Sequence, residues 1–443
     1  MKRLRLSWYL ISWTISDMKI VVLALAKLLL KGLKLSGRNG SALPGLVVEK
    51  LYPGLLKKQL DQLENGVIVV TGTNGKTTTT KSLVFLLEQC GYRVLTNPTG
   101  SNFTRGIYAT IVKYSRVSGG LDYDIAVLEL DEAFSRLFAK EYPPKYVLAL
   151  NVMRDQLDRY GEIDKTAEFI GETVSYATQG VILNHDDPRV AALSEKTGAP
   201  VTYFGVSPDL KNQLPSDDDL HGTHRKKHHK KGARKKSKNA VTLSDYKPGS
   251  IGFRIEGKLY RSRVQIAGIH NAFNLSAALA TAMVVCPDME AQFIVPTMKD
   301  IPAAFGRGEI ITINDKRITL ALVKNPSGFR QSLRSYDTAD FGSVAFVIND
   351  DFADGRDVSW LWDVDFTDVD KANTKYTSGT RANDMALRLK YDQTSATVVE
   401  GINDLMAVIL GDKSEQALVF CTYTAMLELR GIMGKKTDIE EIW

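Results

Sequence analysis

The sequence predicts an α/β protein with a parallel-sheet central domain followed by a smaller Rossmann-like α/β domain. One observation is a strand–turn–helix unit around residues 66–80, in which an apolar strand leads into a glycine-containing turn and a helix. A second is the alternation of short apolar runs with helical patterns, which is typical of parallel strands joined by crossover helices. A third is that this alternation resumes near residue 300, with apolar runs at 317–323, 343–349 and 417–421.

The composition is that of a globular protein with one concentrated positive charge. The 443 residues suffice for two or three domains, and 44% of them are hydrophobic. The net charge of +6 is misleading, because residues 221–238 hold nine Lys/Arg and no acid, whereas the rest of the chain holds 48 basic and 51 acidic residues. We call residues 221–238 the basic tract. Its lack of apolar residues predicts a disordered loop.

Residues 1–35 are apolar and basic. Their longest uninterrupted apolar run, Ile20 to Ala26, has seven residues, and a bilayer span needs about 20. Lysines at 27, 31 and 34 then follow at helical spacing. The pattern predicts an amphipathic helix that either docks on the protein, the reading we favour, or lies on a membrane face.

The strand–turn–helix unit predicts a nucleotide site. Its turn, Thr71 to Thr77, reads Thr-Gly-Thr-Asn-Gly-Lys-Thr, although Val70 stands where the general phosphate-loop pattern has glycine. Glycines let backbone N–H groups converge on phosphate, and the helix N-terminus adds further donors. We expect a lysine on the outer phosphates and a threonine hydroxyl on Mg²⁺. The expected nucleotide-binding residues are Gly72, Thr73, Asn74, Gly75, Lys76, Thr77 and Thr78.

A buried strand at residues 124–130 ends in carboxylates, at Glu129, Asp131 and Glu132. Acids at the carboxyl end of a parallel strand beside a phosphate loop are placed for a magnesium ligand. A solvated strand end is the simpler account for Asp131 and Glu132. The three cysteines (Cys90, Cys286 and Cys421) are scattered, which favours a reducing cytoplasm and argues against a thiolate metal site.

Four segments carry a resemblance to a known family. The wording of residues 71–77 resembles the Mur ligase superfamily, whose members use ATP to convert a carboxylate into an acyl phosphate that an amine attacks. Residues 37–45, 151–161 and 349–363 resemble the MurT branch, the last through Ala-Asp-Gly-Arg-Asp-Val-Ser-Trp-Leu-Trp-Asp. The resemblance implies a Mur-type ATPase domain at 46–300, with a basic insert at 210–240. From the N-terminal pattern and the renewed alternation after residue 300, we also expect an N-terminal helix and connector at 1–45 and a Rossmann-like domain at 301–443.

The resemblance also implies site residues. It selects Glu129, with Thr77, for Mg²⁺ and makes Lys76 a catalytic residue. Further nucleotide contacts would come from Asn271, Asn274, Arg307, Lys324 and Asn325. Several positions depart from the wider superfamily: Gln156 replaces a histidine, Gly171 and Glu172 stand near the place of a carbamylated lysine, and Ala321 replaces an aspartate. The insert also lacks the four cysteines that form a zinc ribbon in several MurT proteins, so zinc is not expected.

By this resemblance the chain is an ATP-dependent ligase that amidates D-glutamate in the stem peptide of lipid II. None of the three cysteines lies in a nucleophile pattern, so we expect a separate GatD-like glutaminase partner. Asp354, or as second choice Asp357, would orient that partner's Cys-His pair. The expected location is the cytoplasm, with a peripheral position at the inner face of the membrane as a further possibility.

Two other functions stay open. A Mur or folylpolyglutamate-type ligase that adds an amino acid would share the ATP site. A nucleic-acid-dependent P-loop NTPase would account for the basic tract. No aromatic residue is interleaved in the tract to stack on bases, so nucleic-acid binding is not expected.

Overall fold

The structure is a computed structural model that describes most of the chain. The described residues are 15–35, 42–97, 104–153, 163–211, 213–214, 240–265, 268–301, 307–367, 369 and 374–439. Residues 37–41 of the connector, Gln156 and its neighbours, and the basic tract lie outside them.

A nine-stranded sheet forms the larger half of the molecule, in the order β2-β3-β1-β4-β5-β6-β7-β8-β9. Strands β1 to β7 run parallel to one another, and β8 and β9 add an antiparallel edge. The strands are β1 Val67–Thr71, β2 Val94–Thr96, β3 Ile125–Glu129, β4 Tyr146–Ala149, β5 Gly180–Asn184, β6 Val201–Val206, β7 Val241–Lys247, β8 Ser250–Ile255 and β9 Lys258–Arg263.

The strand order places a ligand site at the carboxyl end of β1. After β1 the chain builds β2 and β3 on one side and then crosses to β4 on the other, and such switch points form crevices in parallel sheets. β1 is apolar throughout because both faces are covered. Val67 and Val69 pack into one core, and Ile68 and Val70 pack into the other.

A second sheet of six strands follows, in the order β10-β11-β15-β12-β13-β14. All its pairs are parallel except β10–β11. The strands are β10 Arg307–Ile313, β11 Lys316–Leu322, β12 Ser343–Val347, β13 Thr374–Ser378, β14 Thr397–Val398 and β15 Gln416–Cys421. The predicted α/β class with two parallel-rich sheets is therefore confirmed. The division at residues 45 and 300 stays a prediction.

Helices cover both sheets. They are α1 Ile15–Leu35, α2 Ala42–Leu51, α3 Leu55–Leu60, α4 Lys76–Gln89, α5 Thr104–Tyr114, α6 Glu132–Glu141, α7 Ile163–Ser175, α8 Pro188–Ala192, α9 Pro208–Lys211, α10 Ile269–Val285, α11 Ala291–Ile294, α12 Pro326–Ser335, α13 Ala382–Tyr391, α14 Ile402–Gly411 and α15 Tyr423–Met433. A 3₁₀ turn, Ser359–Asp363, buries Trp360 against Phe329 at a ring-centroid distance of 6.1 Å.

Several strands, notably β7 and β13, were not predicted from the sequence. Both are largely polar and half-buried, such as Thr-Lys-Tyr-Thr-Ser in β13, so they lack the apolar runs that marked the others. They are strands because neighbouring strands provide hydrogen-bond partners along their length.

The N-terminal helix α1 is docked on the protein. This is the arrangement that we favoured from the sequence. Leu23 and Ala26 are fully buried in the same core as Val48 of α2 and Ile107 of α5. Lys27 Nζ also donates to the Lys113 carbonyl at 3.2 Å. Within the described residues, no helix is both long enough and apolar enough to cross a membrane.

Candidate active site

The loop between β1 and α4 has two positions, 72 and 75, whose backbone conformation favours glycine. Gly72 and Gly75 have φ angles of +132° and +87°, in the region that side chains rarely adopt. A Cβ on Gly75 would also lie 2.3 Å from Asn274 Oδ1, at the start of α10. The close approach of this asparagine therefore requires glycine at position 75.

Asn151, which follows the neighbouring strand β4, is hydrogen-bonded to the same loop. Its Oδ1 accepts from the backbone N–H of Asn74 at 2.8 Å, and its Nδ2 donates to the Asn74 carbonyl at 2.9 Å. The Asn151 carbonyl also accepts from the Thr73 backbone N–H at 3.0 Å. These three bonds fix the loop backbone so that its remaining N–H groups can face an anion.

Lys76 begins α4 and is buried within the loop. Its Nζ donates to the carbonyls of Gly72 (2.6 Å) and Thr73 (3.3 Å) and lies 3.4 Å from Glu132 Oε1. The side chains of Lys76 and Glu132 are only 6% and 2% exposed, so this is a buried ion pair. The expectation that Glu132 and Asp131 are solvated is wrong. Glu132 meets the lysine, and buried Asp131 caps α6 by accepting from the Ala133 backbone N–H.

Thr77 and Glu129 offer oxygen ligands beside the loop. Thr77 Oγ1 donates to Glu129 Oε1 at 3.1 Å. Asn97 holds the Glu129 backbone by two hydrogen bonds of 2.9 Å. A hydroxyl and a carboxylate suit Mg²⁺, which takes few protein ligands and keeps phosphate and water oxygens as the others. No group of three or more His, Cys, Asp or Glu that could hold a metal occurs among the described residues.

The second domain reaches the loop through Asn325. This residue is fully buried, and its Nδ2 donates to Asn74 Oδ1 at 3.1 Å. Its Oδ1 meanwhile accepts from the Gly328 backbone N–H and thereby caps α12. The same side chain thus fixes both a helix start in one domain and a loop in the other.

A cavity lies between the two domains beside this contact. From the larger domain it is lined by Asn74, His270 and Asn271. From the smaller domain it is lined by Gly308, Ala321, Leu322, Lys324, Gly328, Gln331, Ser332, Ser335 and Tyr336. Tyr336 is half-buried at this cavity, and burial raises its pKa to about 12.

The structure brings most of the predicted nucleotide-binding residues together. Residues 72–77 form the loop, Asn271 and Asn274 begin α10 against it, and Lys324 and Asn325 approach from the second domain. Thr78 lies one residue further along α4, and its buried hydroxyl has no hydrogen-bond partner among the described residues. Arg307 begins β10, but its side chain lies outside the described part of the chain.

Asp354 is buried at the N-terminus of α15. It is 4% exposed, its Oδ1 accepts from the Thr424 backbone N–H at 2.8 Å, and its Oδ2 accepts from Thr424 Oγ1 at 2.5 Å. Burial raises the pKa of Asp354, and the bonds from Thr424 oppose this rise. Asp357 is half-buried and accepts from the Ser359 backbone N–H at 2.8 Å.

Three contacts of the site were not predicted from the sequence: Asn151 with the loop, Glu132 with Lys76, and Thr424 with Asp354. Asn151 and Glu132 do carry a signal, because polar residues that follow neighbouring parallel strands converge at one sheet edge. Thr424 carries none, since it lies 70 residues from Asp354. Only the pairing of β12 with β15 brings the two segments together.

Comparison with known proteins agrees with this architecture. A family model described as the Mur ligase middle domain matches residues 70–282. Another, described as the MurT ligase C-terminal domain, matches residues 322–426. The chain is also similar to the crystal structure of MurF from Acinetobacter baumannii, with a TM-score of 0.63 and 18% identity over 88% of this chain and 81% of that one.

Curated relatives extend the similarity over nearly the whole chain. A Streptococcus pneumoniae protein named subunit MurT of a glutamine-hydrolysing lipid II isoglutaminyl synthase is 32% identical, over 91% of this chain and 94% of its own length. A Staphylococcus aureus protein of the same name is 29% identical, over 85% and 88%. The chain therefore belongs to the MurT family of Mur-type ligases.

Proposed function

We propose that this chain is the synthetase subunit of a lipid II isoglutaminyl synthase. In this proposal it uses ATP to phosphorylate the α-carboxylate of D-glutamate in the lipid II stem peptide and then joins ammonia to the acyl group. The product is D-isoglutamine, and the ammonia comes from a GatD-like glutaminase subunit. Because lipid II is membrane-linked, the reaction would take place at the cytoplasmic face of the membrane.

The observation that carries the proposal is the meeting of both domains at the phosphate loop. Asn325 contacts Asn74 in the loop, and the adjoining cavity is lined from both sides. A nucleotide bound there would have its phosphates at the N-terminus of α4. The loop amides and Lys76 would bind the β- and γ-phosphates, while Asn271, Asn274 and Lys324 would contact the rest of the nucleotide.

The chemistry follows from the charges at this end of α4. A carboxylate oxygen attacks the γ-phosphorus, ADP leaves, and Lys76 balances the charge on the moving phosphoryl group. To do so, its ammonium must exchange the loop carbonyls of Gly72 and Thr73 for phosphate oxygens. Mg²⁺ held by Thr77 and Glu129 would supply further charge neutralisation. Ammonia then attacks the acyl carbon, phosphate leaves with the C–O bonding electrons, and the nitrogen loses a proton.

Asp354, the residue that we propose for the ammonia supply, follows a strand at the same sheet edge as the cavity. Asp354 follows β12, Thr424 follows β15, and Lys324 follows β11, and these three strands are adjacent and parallel. A carboxylate that orients a partner's histidine must itself be held in place. Asp354 meets this need, because Thr424 holds both of its carboxylate oxygens by hydrogen bonds. Asp354 therefore remains our first choice and Asp357 the second.

The test is amidation of lipid II by the reconstituted complex. Lys76→Ala should lower amidation on the order of a thousandfold, because the backbone donors alone leave the outer phosphate charge poorly matched. Lys81→Ala, further along the same helix, is the matched control and should stay close to wild type. Near-normal amidation by Lys76→Ala would exclude the proposed nucleotide site.

A further inference from the structure

The outward face of α1 carries several exposed aliphatic side chains. Val22, Leu23 and Ala26 pack into the core, whereas four aliphatic side chains point the other way. We call these four the outer face: Ile20, Val21, Leu25 and Leu28, which are 38%, 36%, 52% and 65% exposed. At 100° per residue they fall on one arc of the helix, opposite the buried residues. A helix docked on a water-soluble surface normally presents polar residues there.

Lysines lie on this face and along one of its flanks. Lys31 is exposed and follows Leu28 by three residues. Lys27 lies on the flank and bonds the Lys113 carbonyl at the end of α5, where Lys113 is itself exposed. Across residues 1–48 the sequence has eight Lys/Arg and a single acid, Asp17. An apolar helix face bordered by lysines is the pattern of helices that lie in the interface of an anionic bilayer.

The size of the face argues against a second copy of the chain as its occupant. A stable protein interface buries roughly 800 Å² on each partner, and four partly exposed aliphatic side chains in a single row offer much less. The surplus of positive charge would also repel a second copy. Neither argument applies to an anionic lipid surface. A narrow row of aliphatic side chains can insert among acyl chains while the lysines contact headgroup phosphates.

We propose that the outer face of α1 docks the protein on an anionic membrane surface, with α1 lying in the plane of the interface. The inner residues of α1 hold it to the protein core, so insertion of the outer face would attach the whole ligase. This attachment is separate from the ligase chemistry, since none of the four outer-face residues lines the cavity between the domains.

The test is co-sedimentation of the full chain with vesicles, without ATP or lipid II. We expect binding to phosphatidylcholine vesicles that contain phosphatidylglycerol, weaker binding to phosphatidylcholine alone, and a decrease as salt rises. Leu25→Gln/Leu28→Gln should weaken partitioning by about tenfold or more. Leu137→Gln/Leu387→Gln is the matched control, because these leucines are 51% and 49% exposed on other helices; it should bind as the wild type does.

A second variant tests the charge of the face separately from its apolar residues. Lys31→Glu leaves the apolar row intact and should reduce binding to the anionic vesicles only. Equal vesicle binding by wild type and Leu25→Gln/Leu28→Gln would overturn the proposal. A second outcome would also overturn it: without lipid the wild type is a dimer, Leu25→Gln/Leu28→Gln is a monomer, and neither protein binds vesicles. The outer face would then contact a second copy of the chain. Because no substrate is present, failure here leaves the proposed ligase function untouched.

Discussion

Glu132 and Asp354 are buried carboxylates, and their neighbours show why each stays buried. Glu132 lies 3.4 Å from Lys76 Nζ, so it balances the lysine charge inside the loop. Asp354 holds the N-terminus of α15 through Thr424, where a helix favours negative charge. Breaking a buried pair leaves an uncompensated charge. Both residues therefore matter to the fold, and only variants that separate the partial reactions can reveal a further role.

Asp354→Asn should separate the two ammonia sources. The amide can still accept from the Thr424 backbone N–H, so the fold is kept, but it cannot stabilise a positively charged histidine in the partner. Glutamine-driven amidation should fall by about a hundredfold or more, while amidation with ammonium chloride stays near wild type. Rates with the two nitrogen donors are measured side by side in the reconstituted complex.

Asp357→Asn is the comparison for this variant. If Asp354 orients the partner's histidine, Asp357→Asn retains glutamine-driven amidation. The reverse pattern would assign the role to Asp357. Equal loss with both donors in Asp354→Asn would mean that this residue serves only the fold or the ligase site.

At the scale of elements, the connection between β6 and β7 explains how the chain accommodates the basic tract. The two strands pair in parallel, with Phe204 opposite Val241, and a parallel pair needs a crossover of about a dozen residues or more. Residues 207–240 provide this connection, so removal of the 18-residue tract would leave 16 residues. The strands can therefore stay paired without it.

Deletion of residues 221–238 should leave ammonia-driven amidation within about twofold of wild type, because the strand pair that borders the tract can still close. The control is a chain in which an uncharged Gly/Ser linker of equal length replaces the tract. Amidation rates and thermal unfolding are compared for the three proteins. Loss of amidation in the deletion but not in the linker chain would show that the connection is too short. Loss in both would give the tract itself a part in the chemistry.

At the scale of the whole molecule, the surroundings of the three cysteines argue against a glutaminase site in this chain. Burial raises the pKa of the Cys90 and Cys421 thiols and raises that of Cys286 to about 12. A catalytic cysteine needs the opposite shift, since the thiolate is the nucleophile. Cys421 lies in the core of the second domain, and Cys90 and Cys286 end α4 and α10.

The isolated chain should therefore amidate lipid II with ammonium chloride and ATP but not with glutamine. Iodoacetamide at neutral pH should leave the ammonia-driven rate largely intact, because the thiols stay protonated. Adding the glutaminase subunit should restore use of glutamine. Glutamate release from glutamine by the isolated chain would contradict the prediction and place a glutaminase centre within it.

Residue patterns alone predict the strand–turn–helix unit, the residues of its phosphate loop and the family-specific segment at 349–363. These are local properties, because apolar periodicity, glycine at strained turns and helix-start chemistry act over a few neighbouring residues. The half-buried strands β7 and β13 were not predicted, because their local sequences are largely polar and they are strands only through pairing with neighbouring strands.

Contacts between residues far apart in the chain are visible only in the folded protein. Asn325 bonds Asn74 across 251 positions, and Thr424 bonds Asp354 across 70. The apolar outer face of α1 likewise appears only when its other face is packed against α2 and α5. Such contacts depend on strand order and helix docking, which sum many weak interactions over the whole chain, so no local pattern of residues encodes them.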